Sequence, residues 1–446
     1  MIGTEGYSPP EQYRGEASPQ ADIYALGATL HHMLSKNDPR LEAPFSFEDR
    51  PIGKINSDVS EEIIATTNTA IDYDPQDRFP DAETMRNALG AVKVGKTLPI
   101  DTEKGTVIFT DLVEVPEIAA PAGSVGPVWT FECEDEIRTT PLVAGNQVFV
   151  SVYDHNVYAL NAADGSFEWK FAAEAGFAAS PIHVKGQLFI GSEDEHLYAL
   201  NAVDGRELWK IILGAPIRST ANHAAGHIFI GSDRDFLHAV NAQSAQEAWT
   251  FDAGAEVRSR PAIEPSGEGM VYFGTEGGEF YCVDFRGNQK WRFRAKRAIT
   301  ASPAMHEGVV VFASMDWTVY AAEADTSFAL WRFRSRRAFV SSPAIDPDGK
   351  RVYVGSADGN LYALNLRNGK QSWTFETQDQ IASSPAVHKD RIYFGFVDGH
   401  LYCVNSSDGE LIWKYKTDGP VISSPTIAGD MIYVGSADNR LYAFKT

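Results

Sequence analysis

WTFETQDQIASSPAVHKDRIYFGFVDGHLYCVNSSDGELI (373–412) runs straight into WKYKTDGPVISSPTIAGDMIYVGSADNRLYAFKT (413–446), and the second stretch repeats the first nearly position for position. Each opens on tryptophan, reaches Ser-Ser-Pro about a dozen residues later, and ends on an Asp-bearing turn followed by Leu-Tyr. Toward the N-terminus the same unit recurs, marked by Trp129, Trp169, Trp209, Trp249, Trp291 and Trp331 ahead of Trp373 and Trp413. The steps are 40, 40, 40, 42, 40, 42 and 40 residues. A fixed period near 40 residues is the mark of a repeat architecture such as a propeller.

Inside a unit, runs such as RIYFGF and HLYCVN alternate large apolar with polar residues, and Asp-Gly turns punctuate them. That pattern predicts short antiparallel strands joined by hairpins. Proline recurs at the start of one strand (Pro141, Pro181, Pro261, Pro303, Pro343, Pro385, Pro425), where a missing N–H is tolerated. The third unit departs, with Ala221 for that proline and His238 where its sisters carry tyrosine. Gly165, Gly205, Gly287, Gly369 and Gly409 each stand four residues before a repeat tryptophan. The regularity predicts an indole docking into the next sheet, burying on the order of 150–250 Å² per ring.

These units resemble the quinoprotein alcohol dehydrogenase-like (PQQ-like repeat) propellers, whose repeats run roughly GS-x-DG-x-LYALNA-x-DG-x-x-x-W. The resemblance covers about Ser124 to Thr446 and implies a mostly β chain: eight four-stranded blades around a channel. The last unit lacks its tryptophan-bearing outer strand, while VWTFE (128–132) precedes the first, so that segment is expected to complete the last blade. A WD-repeat propeller shares the period, but its Gly-His and Trp-Asp signatures are absent.

The first ninety residues have no such echo. Ile23, Leu26, Leu30, Met33 and Leu34 recur at helical spacing with Asp22 near the start. Asp58 and Glu61 have capping-box spacing ahead of a second helix near Ser60 to Ile71, and a third is expected about Asp81 to Leu89. The order is similar to the C-terminal lobe of a bacterial-type serine/threonine protein kinase. The resemblance implies that Pro9-Pro10-Glu11 stands for the Ala-Pro-Glu motif and that Arg78 is the buried partner of Glu11. It equally implies that Asp22 anchors the catalytic loop and that Thr4 bonds near the catalytic aspartate. The Gly-rich loop, the strand lysine, the His-Arg-Asp loop and the Asp-Phe-Gly metal ligand all precede this motif in a kinase, and none is found in this chain. The chain as it stands is therefore expected not to catalyse phosphoryl transfer. ATP and magnesium enter only if a missing kinase portion exists. The helical segment, with partners absent, is expected to be marginally stable alone.

The expected organisation is a kinase-type lobe over 1–92, a polar linker over 93–124 (partly a strand near Val107 to Leu112), and the propeller over 125–446. No run of 18 apolar residues predicts a membrane span and no signal peptide is read at Met1, so the cytoplasm is the expected compartment. Cys133, Cys282 and Cys403 are scattered, and the last two fill the slot held by Ala159, Ala199 and Ala363 in sister units, which suits core packing. The net charge is −21. Residues 1–120 hold 21 acidic and 10 basic groups (net −11), leaving 39 acidic and 29 basic (net −10) for the rest. That disfavours nucleic acid, whose affinity comes from Lys and Arg on phosphates.

Against this acidity, RFRAKR (292–297) and RFRSRR (332–337) occupy equivalent places, so Lys296, Arg297, Arg336 and Arg337 fall together. Arg138, Arg218 and Arg258 share another equivalent place. Equivalent positions lie on one propeller face, so the cations are candidates for a protein partner or small anionic ligand. The alternative is solvated charge balanced by Asp316, Asp358 and Asp398. The recurring GSADG-type turns suit turn chemistry better than calcium. Trp317, alone off the period, either lines the channel or packs over a blade, and the latter is expected. Quinone enzymes of the resembling family use a vicinal disulfide, a calcium shell and long insertions, so no PQQ and no metal is expected here. Three functions stay open: a binding or sensor scaffold on a truncated kinase, the C-terminal part of an active kinase in a longer chain, and an assembly-factor-like scaffold.

Overall fold

The computed structural model describes residues 7–13, 19–35, 47, 50–56, 59–92, 100–101, 106–107, 125–264, 269–377 and 379–446. The chain divides into two compact units, Met1–Ile118 and Ala119–Thr446.

In the second unit the alternating runs become eight four-stranded antiparallel sheets. Blade 1 consists of Leu142–Ala144, Gln147–Ser151, Asn156–Asn161 and Phe167–Ala172, from innermost to outermost strand. Blades 2 to 7 repeat it. Blade 8 takes three strands from the C-terminal repeat, and its outermost strand is Trp129–Glu132, paired with Arg440–Lys445 through Trp129↔Ala443 and Phe131↔Leu441. The ring thus closes by the expected exchange of the chain's two ends. Across that seam the Ser423 hydroxyl donates to the Thr139 carbonyl (2.7 Å) and the Tyr433 hydroxyl to the Ala162 carbonyl (3.0 Å).

The period-40 tryptophans lie on outermost strands, each opposite a small residue: Ala159 faces Trp169, Cys282 faces Trp291 and Cys403 faces Trp413. Each ring leans into the next blade. The indole N–H of Trp169 donates to the Ala202 carbonyl (3.2 Å), and Trp129, Trp209, Trp249, Trp291, Trp331 and Trp373 make the equivalent bond. Beneath the ring sits a turn glycine of the receiving blade. A Cβ on Gly205 would lie 2.3 Å from the Trp169 ring, and φ there is 71°. Small size and left-handed freedom are needed at once, which only glycine supplies without strain. In seven blades the ladder between the third and fourth strands shifts register beside the residue facing the tryptophan, a bulge that sharpens the twist there.

The first unit is helical: α1 (Pro10–Tyr13), α2 (Pro19–Ser35), α3 (Ile52–Ile55), α4 (Glu61–Ala70) and α5 (Ala82–Val92). The cap of α4 is Ser60, whose hydroxyl accepts the Ile63 N–H, so the expected capping by Asp58 gives way to the residue nearer the helix; Asp58 lies outside the described residues. Asp81 caps α5, accepting from the Thr84 N–H at 2.7 Å. The buried side of α2 also differs from the expected stripe. Ala21, Ile23, Tyr24, Ala28 and His31 face inward, while Leu26 and Met33 are exposed. The turn rotates because Gly27 lets α4 approach closely: a Cβ there would meet Ala70 at 2.7 Å. Of the strand expected near Val107 to Leu112, Val107 lies in a strand, Thr106–Val107, which pairs with Ile100–Asp101, and 108–112 lie outside the described residues.

Candidate functional site

Four antiparallel strands per blade put two sets of connections on one face of the disc. They are the turns between the second and third strands and the crossings from an outermost strand to the next blade; this is the loop face, opposite the indole-bearing turns. Its recurring aspartates are spent locally. The Tyr198 hydroxyl donates to Asp194 (2.6 Å), Tyr320 to Asp316 (2.6 Å), Tyr362 to Asp358 (2.8 Å) and Tyr442 to Asp438 (2.7 Å). The same carboxylates accept turn N–H groups, as Asp316 does from Thr318. Burial would raise the Asp358 pKa, but donation from Tyr362 and the Arg336 N–H leaves it lowered. Among the described residues no three His, Cys, Asp or Glu side chains come together as a metal set.

The seven candidate cations separate into two groups. Arg218 binds Glu193 (2.7 Å) and Asp233, Arg258 binds Asp233 (2.9 Å) and Glu276 (3.1 Å), and Arg138 binds Glu136 and lies over the Tyr153 ring. Lys296, Arg297, Arg336 and Arg337 are exposed, and their side chains have no ion pair or hydrogen bond among the described residues. Asp316 and Asp358, expected to balance them, instead accept the backbone N–H of Lys296 (3.0 Å) and Arg336 (3.1 Å). The carboxylates fix the loops and leave the side-chain charges uncompensated.

Two residues on this face carry more than the sequence reading assigned them. Around the channel rim, backbone N–H groups of six blades donate to the hydroxyl of the next blade, among them Thr140 to Ser180 (2.8 Å), Ser302 to Ser342 (2.9 Å), Ser342 to Ser384 (3.0 Å) and Ser384 to Ser424 (2.9 Å). Arg260 occupies this ring in place of a hydroxyl and is exposed to solvent, its own backbone N–H donating to the Ser302 hydroxyl (3.1 Å). Trp317 is neither in the channel nor covered by a blade. It sits at a turn tip of blade 5 with φ 76° and 37% exposure, and the Arg334 guanidinium lies 5.3 Å from its ring. Both were legible. Arg260 is the one long side chain in a column of Ser and Thr, and Trp317 is the one large aromatic ring besides His155 in a column otherwise of Glu195, Asp235, Gly278, Gly359, Gly399 and Asn439.

Blade 3 holds a Ser–His–Glu chain: Ser232 Oγ is 2.9 Å from His238 Nε2, and His238 Nδ1 is 2.6 Å from Glu247. Ser232 is fully buried and His238 nearly so, so no substrate reaches the hydroxyl. Arg234 and His238 replace the Asp–Tyr pair of the sister blades, and the chain satisfies the imidazole that results. The cysteines are buried, and burial pushes the Cys282 and Cys403 thiols up to about 12, as inert core groups.

In the helical unit Glu11 and Arg78 form the expected buried pair, two parallel bonds of 2.6 and 3.0 Å. Arg78 also donates to the carbonyls of Asp72 (2.6 Å), Tyr73 (3.1 Å) and Gln20 (3.2 Å), and lies 4.7 Å from the Tyr24 ring centre. Pro10 opens α1 and thereby sets Glu11 in its first turn. Asp22 is exposed in the first turn of α2 with no partner among the described residues, and Thr4 lies outside them.

With this geometry in place, the chain can be set beside known proteins. The family model described as outer membrane protein assembly factor BamB matches residues 114–226, 233–380 and 365–446, most of the sequence. The chain belongs to this BamB-type family of PQQ-like repeat propellers. BamB of Moraxella catarrhalis shares the fold at TM-score 0.63 and 18% identity, over 72% of this chain and 100% of that one. Serine/threonine-protein kinase D of Synechocystis is 34% identical over 94 residues, 20% of this chain and 18% of that protein. Quinohemoprotein alcohol dehydrogenase ADH IIB of Pseudomonas putida is 31% identical over 111 residues, 22% of this chain and 16% of that enzyme. The chain thus spans about a fifth of the length of these curated relatives. Among the described residues no helix of this family member is long and apolar enough to cross a membrane.

Proposed function

We propose that this chain is a binding scaffold whose propeller holds a protein partner on its loop face. The observation that carries the reading is the uneven treatment of charge there. Arg138, Arg218 and Arg258 are neutralised by carboxylates, whereas Lys296, Arg297, Arg336 and Arg337 are held out unpaired. Unpaired surface cations contribute little to the fold, so their clustering is better explained by a partner. Membership of a family described by an assembly factor agrees with protein binding. Panning a random peptide library against the full chain tests this. Bound peptides should protect loop-face amides from exchange; a library that yields no binder, or only binders elsewhere, would defeat it.

The helical unit is, in this reading, a C-lobe fragment of a serine/threonine kinase. The buried Glu11–Arg78 pair and the kinase relatives support it. The phosphate-binding and metal-binding elements of a kinase do not occur in residues 1–446, so this chain transfers no phosphate. Incubation with ATP, magnesium and generic substrates should leave them unlabelled. The kinase relatives also favour a second reading, an active kinase of which this is the C-terminal part; an in-frame His-Arg-Asp and Asp-Phe-Gly upstream would establish it. The working compartment is the cytoplasm, where a kinase-type lobe meets ATP, and cell fractionation decides between that and the periplasm an assembly factor would need. No quinone takes part in this scheme. Cys282 and Cys403 lie buried on separate strands and Cys133 is buried just past a third, and the turn carboxylates are committed to tyrosines, so they do not fit a disulfide-and-calcium cradle.

A further inference from the structure

The part of the loop face around blade 5 has three features that none of its sister sectors combines. The first is strain. Trp317 adopts φ 76° at a turn position that is left-handed in every blade: blades 4, 6 and 7 place Gly278, Gly359 and Gly399 there, blades 1, 2, 3 and 8 the smaller His155, Glu195, Asp235 and Asn439, and Trp317 is the bulkiest of the set. A bulky side chain in the left-handed region is an outlier, held only where the surroundings determine it or function rewards it. The turn is determined: Ser335 N–H donates to the Trp317 carbonyl (2.9 Å), and Asp316 is fixed by Thr318, Tyr320 and the Lys296 N–H. The residue is still 37% exposed, so part of its surface stays open to a partner.

The second feature is charge. Lys296 and Arg297 approach from the crossing before blade 5, Arg336 and Arg337 from the crossing after it, and Arg334 lies on the indole. Elsewhere on the same face the corresponding crossings carry Glu134, Asp135 and Glu136, or Asp418. The third is shape. A groove of about 330 Å³ runs from Arg334 and Arg336 past Tyr362 and Gln371 to Glu376, so Arg336, together with Arg334, opens onto a trough and not a bare knob.

We propose that Trp317, Arg297, Arg336, Arg337 and the adjoining groove form a docking site for an acidic, extended segment of a protein partner. This rests on the scaffold reading and names its partner chemistry. Tryptophan and arginine are the residues that most often dominate interface energetics. Guanidinium groups match carboxylates in two-point geometry. The acidity of the chain as a whole repels any polyanion, and a long polyphosphate strand meets more of it than a short carboxylate-rich segment that four cations can hold locally. An exposed indole beside arginines is also how single-stranded nucleic acid is gripped, so nucleic acid is the outcome to be tested against.

The test is fluorescence anisotropy on the full chain with a labelled Glu-rich dodecapeptide, a Lys-rich control and oligo-dT of equal charge. The Glu-rich peptide should bind and weaken as salt rises. Arg297→Glu with Arg337→Glu should lower affinity at least tenfold. Trp317→Gly installs the residue of blades 4, 6 and 7 and relieves the backbone, so it should raise or preserve Tm while lowering affinity about tenfold. Equal binding by both variants, or tighter binding of oligo-dT than of peptide, overturns the proposal. Library-selected binders that are not acidic and survive both variants would remove this site and leave the scaffold reading standing. A chain that binds neither these probes nor any library peptide loses both.

Discussion

Gly369 lies directly under the indole of Trp331 from the preceding blade: a methyl group on it would sit 2.6 Å from Cε3, and its φ is 68°. The ring is nearly fully buried and donates to the Leu366 carbonyl at 2.6 Å, so it cannot retreat. Gly369→Ala therefore combines a left-handed backbone penalty with overpacking, a loss of roughly 2–4 kcal/mol. Urea unfolding followed by tryptophan fluorescence measures it cleanly, because all nine tryptophans lie in the propeller. A loss below 1 kcal/mol would mean the blade interface is softer than the close contact implies.

Two blades show the converse. At the positions of this glycine stand Ala245 (φ 56°) and Ser327 (φ 63°). Each holds a left-handed conformation that costs about 1–2 kcal/mol, partly offset by a less flexible unfolded chain. Ala245→Gly and Ser327→Gly should each stabilise the propeller by about 0.5–1 kcal/mol. The same urea curves decide, and a shift toward lower midpoint would show that the side chains make compensating contacts.

The blade count, the closure by VWTFE and the indole seats were legible because a repeat states the same geometry eight times. One worn copy, such as Ala221 or His238, is outvoted by its neighbours. The loop-face cations were legible as residues and not as chemistry. Sequence placed Arg218 and Lys296 in one category, but Glu193 and Asp233 converge on the first, and Asp316 turns from the second to its backbone N–H. Which carboxylate meets which cation depends on crossings between blades that no single repeat displays. The helical unit was legible through Glu11 and Arg78, 67 residues apart yet bidentate. The buried side of α2 was not, because the small Gly27 decides it from the opposite direction to the apolar stripe.

The Glu11–Arg78 pair is enclosed, with side-chain exposures of 7% and 0%. Removing one member strands a charge where water cannot reach it, at a cost of about 3–5 kcal/mol. Arg78→Met should melt α1, α2 and the segment after α4 together, seen as lost ellipticity at 222 nm, since every α-helix among the described residues lies in the first unit. The propeller transition should stay in place. Glu11→Leu combined with Arg78→Met should recover much of the loss. An unchanged helical signal in the single variant would show that the backbone bonds of Arg78 carry nothing either.

The helical unit leaves Leu26 and Met33 in solvent, Met33 at 70% exposure. Among the described residues its enclosed apolar groups number ten, four of them alanines: Ala21, Ile23, Tyr24, Ala28, Phe47, Ile52, Ala70, Phe79, Met85 and Ala88. Limited trypsin digestion should therefore remove residues of the first unit while the propeller persists. Equal survival of both would contradict this accounting of the small core.

Acid should expose blade 3 first. His238 is buried between Ser232 and Glu247, and desolvation lowers its pKa despite the bond to Glu247. A base with a depressed folded pKa is neutral in the native state and binds a proton more readily when unfolded. Its contribution is then intact above the unfolded value near 6.5 and declines as pH falls from there toward the lowered folded value. Tryptophan-detected Tm should drop between pH 7 and pH 5 in the parent chain. In the double variant Arg234→Asp, His238→Tyr, which restores the Tyr–Asp pair of the sister blades, the drop should be smaller. Matching slopes in the two proteins would show that other groups govern the acid sensitivity of the ring.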